Sequence, residues 1–357
     1  MSPARERRRT FFRSNSFKSG VLIKPSTTYA LSLHRQEVDE NDLDGDDVDP
    51  VVDVAELDLP TDVSEPHVYL GGGIPGVAVD EFTIEQPNHF VRDNYHTHVA
   101  AALRRHIPSL PQDPDDKTFV DFNMFTLDTI EDVFLDASCR MTAALEDALH
   151  LDISVSGTTA IALLFVTPTS SCPDVQPKVF VANVGDSRAV AGQPSAADTP
   201  STSDAPSLAT IHLSCDHKPT EEARIVATNG RVFEYGVPRV WLQDVDMPGL
   251  AMSRSFGDSI ATSVGVISDP QCTELGLSRG TFVVVASDGL WEFLSSPDVV
   301  AMCAKGNAVD DPQTTCDLLV AEALERWLDE QDVVDDITVV YVAVARAVGG
   351  ENDACRR

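Results

Sequence analysis

An α+β fold is what this sequence predicts. Two long stretches of helical spacing come first, a run of short apolar or β-branched segments follows, and another long helix precedes a last strand. Strands in runs, with helices gathered before and after them, argue against alternating βαβ units. A chain of 357 residues with 43% hydrophobic content buries a large core without covalent staples.

The chain opens on two segments of opposite charge. Residues 1–36 are rich in Arg and Ser, with Glu6 the only acid, whereas residues 37–65 carry thirteen acids and no Lys or Arg. Neither has the apolar periodicity of packed structure, so a disordered basic leader and an acidic linker are expected. The leader also admits readings as an organelle transit peptide or a kinase substrate segment. In the linker, Asp42, Asp44, Asp46 and Asp53 fall on a calcium-loop template, but Asp47 stands where the template needs Gly and Pro50 takes a ligand position. The folded domain is expected over residues 66–346, with a tail over 347–357.

Within that domain, Phe90 to Arg105 and Leu127 to Leu149 have helical spacing, the second through Ile130, Phe134, Ala137 and Met141. Thr158 to Val166, Lys178 to Asn183, Arg188 to Ala191 and Thr210 to Leu213 read as strands, with Gly185-Asp186-Ser187 as a hairpin turn. Residues 193–209, rich in Pro, Ser, Thr, Ala and Asp, read as a surface insertion. Thr220 offers a cap to a helix running to Ala227 and stopping near Asn229-Gly230. Gln313 to Glu330 forms a helix whose Cys316, Leu319, Val320, Ala323, Leu324, Trp327 and Leu328 share one face toward the core.

Charge and cysteine usage exclude several function classes. The net charge, 26 minus 57 or −31, repels nucleic acid and anionic lipid surfaces. No apolar run approaches the roughly 20 residues that span a bilayer. Seven cysteines without a CxxC pair fit neither a disulfide framework nor a zinc site. A monomer in a reducing compartment, cytoplasmic or nuclear, is expected, with organelle targeting by the leader left open.

Two aspartates point to chemistry. Asp288 follows the apolar run Phe282-Val-Val-Val-Ala286 and precedes Gly289, while Asp335 leads into Ile337-Thr-Val-Val-Tyr341. A carboxylate at a strand end is aimed by rigid backbone, which suits a metal ligand. Two such groups about 5 Å apart repel by roughly 3 kcal/mol at an effective dielectric near 20, and a divalent ion reverses that sign. Hard oxygen ligands of this kind select magnesium or manganese.

The order of further motifs gives these aspartates a context. Ser156-Gly-Thr-Thr-Ala160, Val184-Gly-Asp-Ser-Arg188, Asp216-His-Lys-Pro219, Gly249-Leu-Ala-Met-Ser-Arg254-Ser-Phe-Gly-Asp258, Gly265-Val-Ile-Ser-Asp-Pro270, Ala286-Ser-Asp-Gly-Leu-Trp291 and Asp335-Asp-Ile-Thr338 follow one another. The series resembles the metal-dependent protein serine/threonine phosphatases of the PP2C (PPM) family, over roughly residues 66 to 346. The resemblance implies a four-layer sandwich, two antiparallel β-sheets flanked by α-helices. It also implies phosphoprotein hydrolysis by water at two Mg²⁺ or Mn²⁺ ions, with a possible third and no side-chain nucleophile.

By the same resemblance, Asp288 corresponds to the family's metal-bridging or metal-bound aspartate and Asp335 to that of its C-terminal Asp-Asn motif, with Asp336 where Asn usually stands. Asp186 and Glu292 are expected at a third metal. Asp258 and Arg254, and likewise His217 and Lys218, are expected to brace the site, and Trp291 to pack behind it.

The N-terminal half departs from the pattern. Asp80 stands where an Asp-Gly-His-Gly motif belongs, but Glu81-Phe82-Thr83 replaces the Gly-His-Gly. Arg35, in Arg35-Gln-Glu-Val-Asp-Glu40, is the expected phosphate contact. Two classes therefore stand side by side, an active phosphatase and a catalytically impaired pseudophosphatase that acts as a binding module.

Overall fold

The computed structural model describes residues 20–22, 28–33, 52–56, 86–110, 122–166, 176–194, 208–220, 222–305, 312–330 and 334–343. Three strands, β1 (Gly20–Leu22), β2 (Thr28–Leu33) and β3 (Val52–Glu56), precede helix α1 (Pro87–His106). Pro87 opens α1 where a missing N–H costs nothing, and Arg104, Arg105 and His106 close it against the negative end of its dipole. A short 3₁₀ turn, Phe122–Met124, leads to α2 (Leu127–Asp147), whose N-cap Thr126 accepts a hydrogen bond from the Thr129 amide at 3.2 Å.

Strands β4 (Gly157–Thr158), β5 (Ala160–Val166), β6 (Lys178–Val184), β7 (Arg188–Pro194) and β8 (Leu208–His212) follow. Next come α3 (Glu222–Ala227), β9 (Gly230–Tyr235), β10 (Val237–Leu242), β11 (Pro248–Leu250), β12 (Phe256–Gly257) and α4 (Ser259–Thr262). The last elements are β13 (Gln271–Gly276), β14 (Phe282–Ala286), α5 (Asp288–Trp291), α6 (Ser296–Lys305), α7 (Pro312–Glu330) and β15 (Thr338–Ala343).

Two main sheets result, one in the order β1-β5-β6-β13 and the other β3-β2-β15-β14-β7-β8. Every pairing in them is antiparallel except β1 with β5. The apolar side chains fall into three layers that match this arrangement. Phe134, Met141 and Val99 of α1 and α2 pack with Ala162, Leu164 and Phe180 of the first sheet. Ile161, Leu163 and Val181 on its other face meet Ala189, Val283, Val285 and Val340 of the second sheet. Val284, Val339 and Tyr341 then turn outward onto Val299, Leu319 and Ala323 of α6 and α7. Strands buried on both faces read as continuous apolar runs, as β5 and β14 do. The order is helices, sheet, sheet, helices, the α+β sandwich expected. A smaller unit of β9, β10, β11, α3 and α4 carries its own cluster around Val240, Leu250 and Val266.

Several expectations need correction. Gly185-Asp186-Ser187 is not a hairpin turn, because β6 and β7 lie in different sheets and the three residues carry the chain from one to the other. Two adjacent apolar strands joined by a Gly-containing turn look alike whether they pair or part. Leu328, assigned to the core face of α7, is 65% exposed, since it lies about 100° around the helix from Trp327, whose indole still reaches the Gly289 carbonyl. Strands β1, β2 and β3 come from the stretches read as leader and linker, and β2 lies between β15 and β3. The insertion at 193–209 begins and ends in the pairing of β7 with β8, and residues 195–207 lie outside the described residues. Cys139, Cys215, Cys272, Cys303 and Cys316 are free thiols.

Candidate active site

Antiparallel pairing puts the end of β14 beside the start of β15, with Ala286 opposite Val339. Ser287 extends that junction. Its amide donates to the Thr338 carbonyl at 3.1 Å, its hydroxyl to the Asp336 carbonyl at 2.9 Å, and it accepts from the Thr338 amide at 3.0 Å. Asp288 and Asp335 flank this stitch. Gly289 is required there by close approach, because a Cβ would come within 2.4 Å of the Asp336 carbonyl oxygen. Asp335 Oδ1 accepts from the Asp336 amide at 2.7 Å, which fixes one of its two oxygens and leaves the other to a ligand.

The crossover between the sheets supplies a third carboxylate. Gly185 has φ +107° and its α-carbon rests on the Thr159 side chain, which leaves no room for a Cβ. Thr159 Oγ1 bonds Ser187 Oγ at 2.8 Å, Asn183 Nδ2 donates to the Gly185 carbonyl at 3.1 Å, and the Gly185 amide donates to His217 Nδ1 at 3.0 Å. Between these anchors Asp186 is buried, and Lys218 Nζ donates to its Oδ2 at 2.6 Å. Beside it, Arg188 makes two hydrogen bonds to Asp216, at 2.8 and 2.6 Å, and lies 5.2 Å over the Trp291 ring. Trp291 donates to the Ala286 carbonyl at 2.9 Å, so it packs behind the site as expected.

The electrostatics join these groups into one site. Asp288 keeps part of its surface open, yet removal from bulk water, then the charges of Asp186 and Asp335, push its carboxyl up to about 8; Lys218 opposes this and Glu292 adds to it. Burial raises the Asp186 carboxyl against the pull of Lys218. Burial also works against the Lys218 ammonium, but Asp186 outweighs it and the pKa moves up. The charges of Asp186, Asp335 and Glu292 thus all bear on Asp288, with the Lys218 ammonium opposing them. Such an excess of hard oxygen donors suits a divalent cation, and Mg²⁺ or Mn²⁺ in particular. Among the described residues no three His, Cys, Asp or Glu side chains are already gathered as a metal cage.

The remaining expectations divide. Asp80 and Arg35 lie outside the described residues. Asp258 is buried with φ 47°, its amide bonded to the Ser156 carbonyl at 3.0 Å, and burial pushes its carboxyl up to about 6. Arg254 donates to the Asp269 carbonyl at 2.7 Å. Lys218, expected to brace the site, touches Asp186 directly. The signal was present in the Asp-His-Lys-Pro motif, a lone cation in a polar loop after a strand, but spacing in sequence did not say which carboxylate it would meet.

A sequence model of protein phosphatase 2C matches residues 86–331, a stretch that includes Asp186, Lys218, Asp288 and Glu292 but stops short of Asp335. Probable protein phosphatase 2C 35 of Arabidopsis thaliana is 33% identical over 246 residues, which cover 62% of this chain and 64% of that protein. Probable protein phosphatase 2C 73 of the same plant is 33% identical over 217 residues, covering 58% and 53%. The chain therefore spans between about half and two thirds of the length of these relatives. Among solved structures, the serine-threonine phosphatase 2C from Toxoplasma gondii has a similar fold, with TM-score 0.54 at 20% identity over 71% of this chain and 80% of that one.

Proposed function

Because the chain belongs to the protein phosphatase 2C family, we propose that it hydrolyses phosphoserine and phosphothreonine in proteins, with water as the nucleophile. The observation that carries this reading is the convergence of acidic charge on Asp288 from Asp186, Asp335 and Glu292, at the rim where β14, β15 and the sheet crossover meet. Asp288 and Asp335 would hold Mg²⁺ or Mn²⁺ in a two-ion centre, Asp186 and Glu292 would serve a third, weaker ion, and Asp80 and Arg35 would add a ligand and a phosphate contact. When bound, the ions would acidify water and neutralise charge on the phosphoryl oxygens.

The chain's own residues do the positioning. Asp288 and Asp335 are held by the Ser287 stitch, so the distance between them is set by two paired strands rather than by loops. Partial exposure of Asp288 leaves the rim open to a phosphoester. Lys218, with 43% of its side chain exposed, supplies a positive charge on the approach to Asp186 and draws the phosphoryl group inward. Arg188 is committed to Asp216 and fixes the wall of the site instead of reaching substrate.

The test is a metal titration of the purified chain by calorimetry, alongside phosphate release from phosphoserine and phosphothreonine peptides. Metal-dependent turnover that falls at least 100-fold in Asp288→Asn and Asp335→Asn, with divalent-ion binding weakened in both, is expected. Ion binding without turnover in the wild type would instead make the chain a pseudophosphatase that binds phosphoproteins. Unchanged ion affinity in both variants would remove these residues from the site.

A further inference from the structure

We infer that His217 is a positioning residue that sets the direction of the Asp186 carboxylate by gripping the glycine before it. The inference rests on the phosphatase reading, since the Gly185 turn matters to chemistry through Asp186.

His217 holds both polar groups of one peptide unit's residue. The Gly185 amide donates to His217 Nδ1 at 3.0 Å, and the His217 amide donates to the Gly185 carbonyl at 3.0 Å. For Nδ1 to accept, the imidazole carries its hydrogen on Nε2. The ring is buried, so water does not compete for Nδ1. Asn183 Nδ2 braces the same loop by donating to both the Gly185 and Cys215 carbonyls, at 3.1 and 3.0 Å.

The far side of His217 is tied to the smaller unit. Its carbonyl accepts from the Ser253 amide at 2.7 Å and the Ser253 hydroxyl at 3.3 Å. The Ser253 carbonyl accepts from Arg224 Nη2 of α3 at 2.7 Å, and Arg224 Nε donates to the Gly265 carbonyl at 2.7 Å. One residue thus links the β9–β11 unit to the crossover that carries Asp186. A glycine at φ +107° has wide backbone freedom, and with the Nδ1 acceptor gone the amide of the Val184–Gly185 peptide loses its partner, so that only the bonds to the Gly185 carbonyl resist rotation at this residue. That rotation swings the carboxylate away from Lys218 and from the rim.

The decisive comparison is His217→Asn against His217→Gln, with His217→Ala beside them. Asn places an amide oxygen near the position of Nδ1, whereas the Gln amide reaches the position of Nε2. Three readouts are taken on folded protein: amide hydrogen exchange at Gly185, Mn²⁺ binding by calorimetry, and the Mn²⁺ concentration for half-maximal phosphopeptide turnover. The expected result for Gln and Ala is at least tenfold faster Gly185 exchange and at least fivefold weaker Mn²⁺ dependence, with the phosphopeptide KM nearly unchanged. Asn stays within about twofold of wild type throughout.

Faster exchange with unchanged Mn²⁺ binding would make His217 merely structural and overturn the inference, as would Asn behaving like Gln. Should neither Asn nor Gln fold, His217 serves stability and the inference fails. A wild type that binds Mn²⁺ without turnover removes the phosphatase reading alone, because calorimetry and exchange still decide the positioning role. A wild type that binds no Mn²⁺ sinks both.

Discussion

Asp258 shows what a single buried carboxyl does to stability. Its folded pKa of about 6 stands above the roughly 3.9 of an unfolded aspartate, so between those values the fold holds a proton that the unfolded chain has released. Stability from this group is full below about pH 4 and declines as pH rises through 6. Two pKa units correspond to a loss on the order of 3 kcal/mol at neutral pH. Asp258→Asn removes the charge, and Asn tolerates the left-handed backbone seen here at φ 47°. Melting curves across pH 4 to 8 should therefore show a flatter decline in this variant than in wild type. An unaltered slope would mean that Asp258 is charged in the fold. Gly289 makes the opposite case, a residue whose size alone matters. A methyl group there meets the Asp336 backbone, whose carbonyl is held by the Ser287 hydroxyl and cannot yield as a side chain would. Gly289→Ala should cost about 1–3 kcal/mol in chemical denaturation, and it should lower turnover by parting Asp288 from Asp335. Wild-type stability and rate together in this variant would show the contact to be relaxed at no cost.

At the scale of elements, α2 is the firmest prediction available. Phe134 is fully buried among Ile130, Ala137 and Met141 on the face turned to the first sheet, and Phe134→Ala should cost about 3–5 kcal/mol, read as a lower denaturant midpoint. A loss under 1 kcal/mol would mean that the helix repacks. This helix was legible in the sequence because its apolar residues recur at helical spacing over five turns. The apolar strands β5, β6 and β14 were legible for the same kind of reason, a local pattern with a local cause. What a strand pairs with has no local cause. The sequence around Gly185 is compatible with a hairpin, and only the competing partners β13 and β14 separate β6 from β7. The partner of Lys218 was not legible for the same reason, because its contact with Asp186 spans 32 positions and depends on where the crossover lies. Asp288 and Asp335 were singled out because an acid and a strand end coincide at each, with Gly289 beside the first.

For the molecule as a whole, the second sheet sets the limits of what can be removed. β2 lies between β15 and β3, so a chain lacking residues 1–56 would expose the edge of β15 beside the candidate site. Such a truncation should melt at least 10 °C lower than the full chain or aggregate on expression. Equal melting temperatures would show that the first 56 residues contribute nothing to the sheet. The same topology governs the order in which the protein comes into being. β15 is the last strand described, yet it sits inside its sheet, flanked by β14 and β2. Synthesis runs from the N-terminus, so β14, which has β7 on one side, waits for its other partner β15 until residues 338–343 have been made, and Asp335 arrives just ahead of that strand. Any chemistry that requires both aspartates is therefore withheld from a nascent chain. A messenger cut short before codon 335 yields a product without Asp335, and so without the chemistry proposed for the pair, whatever else of it folds.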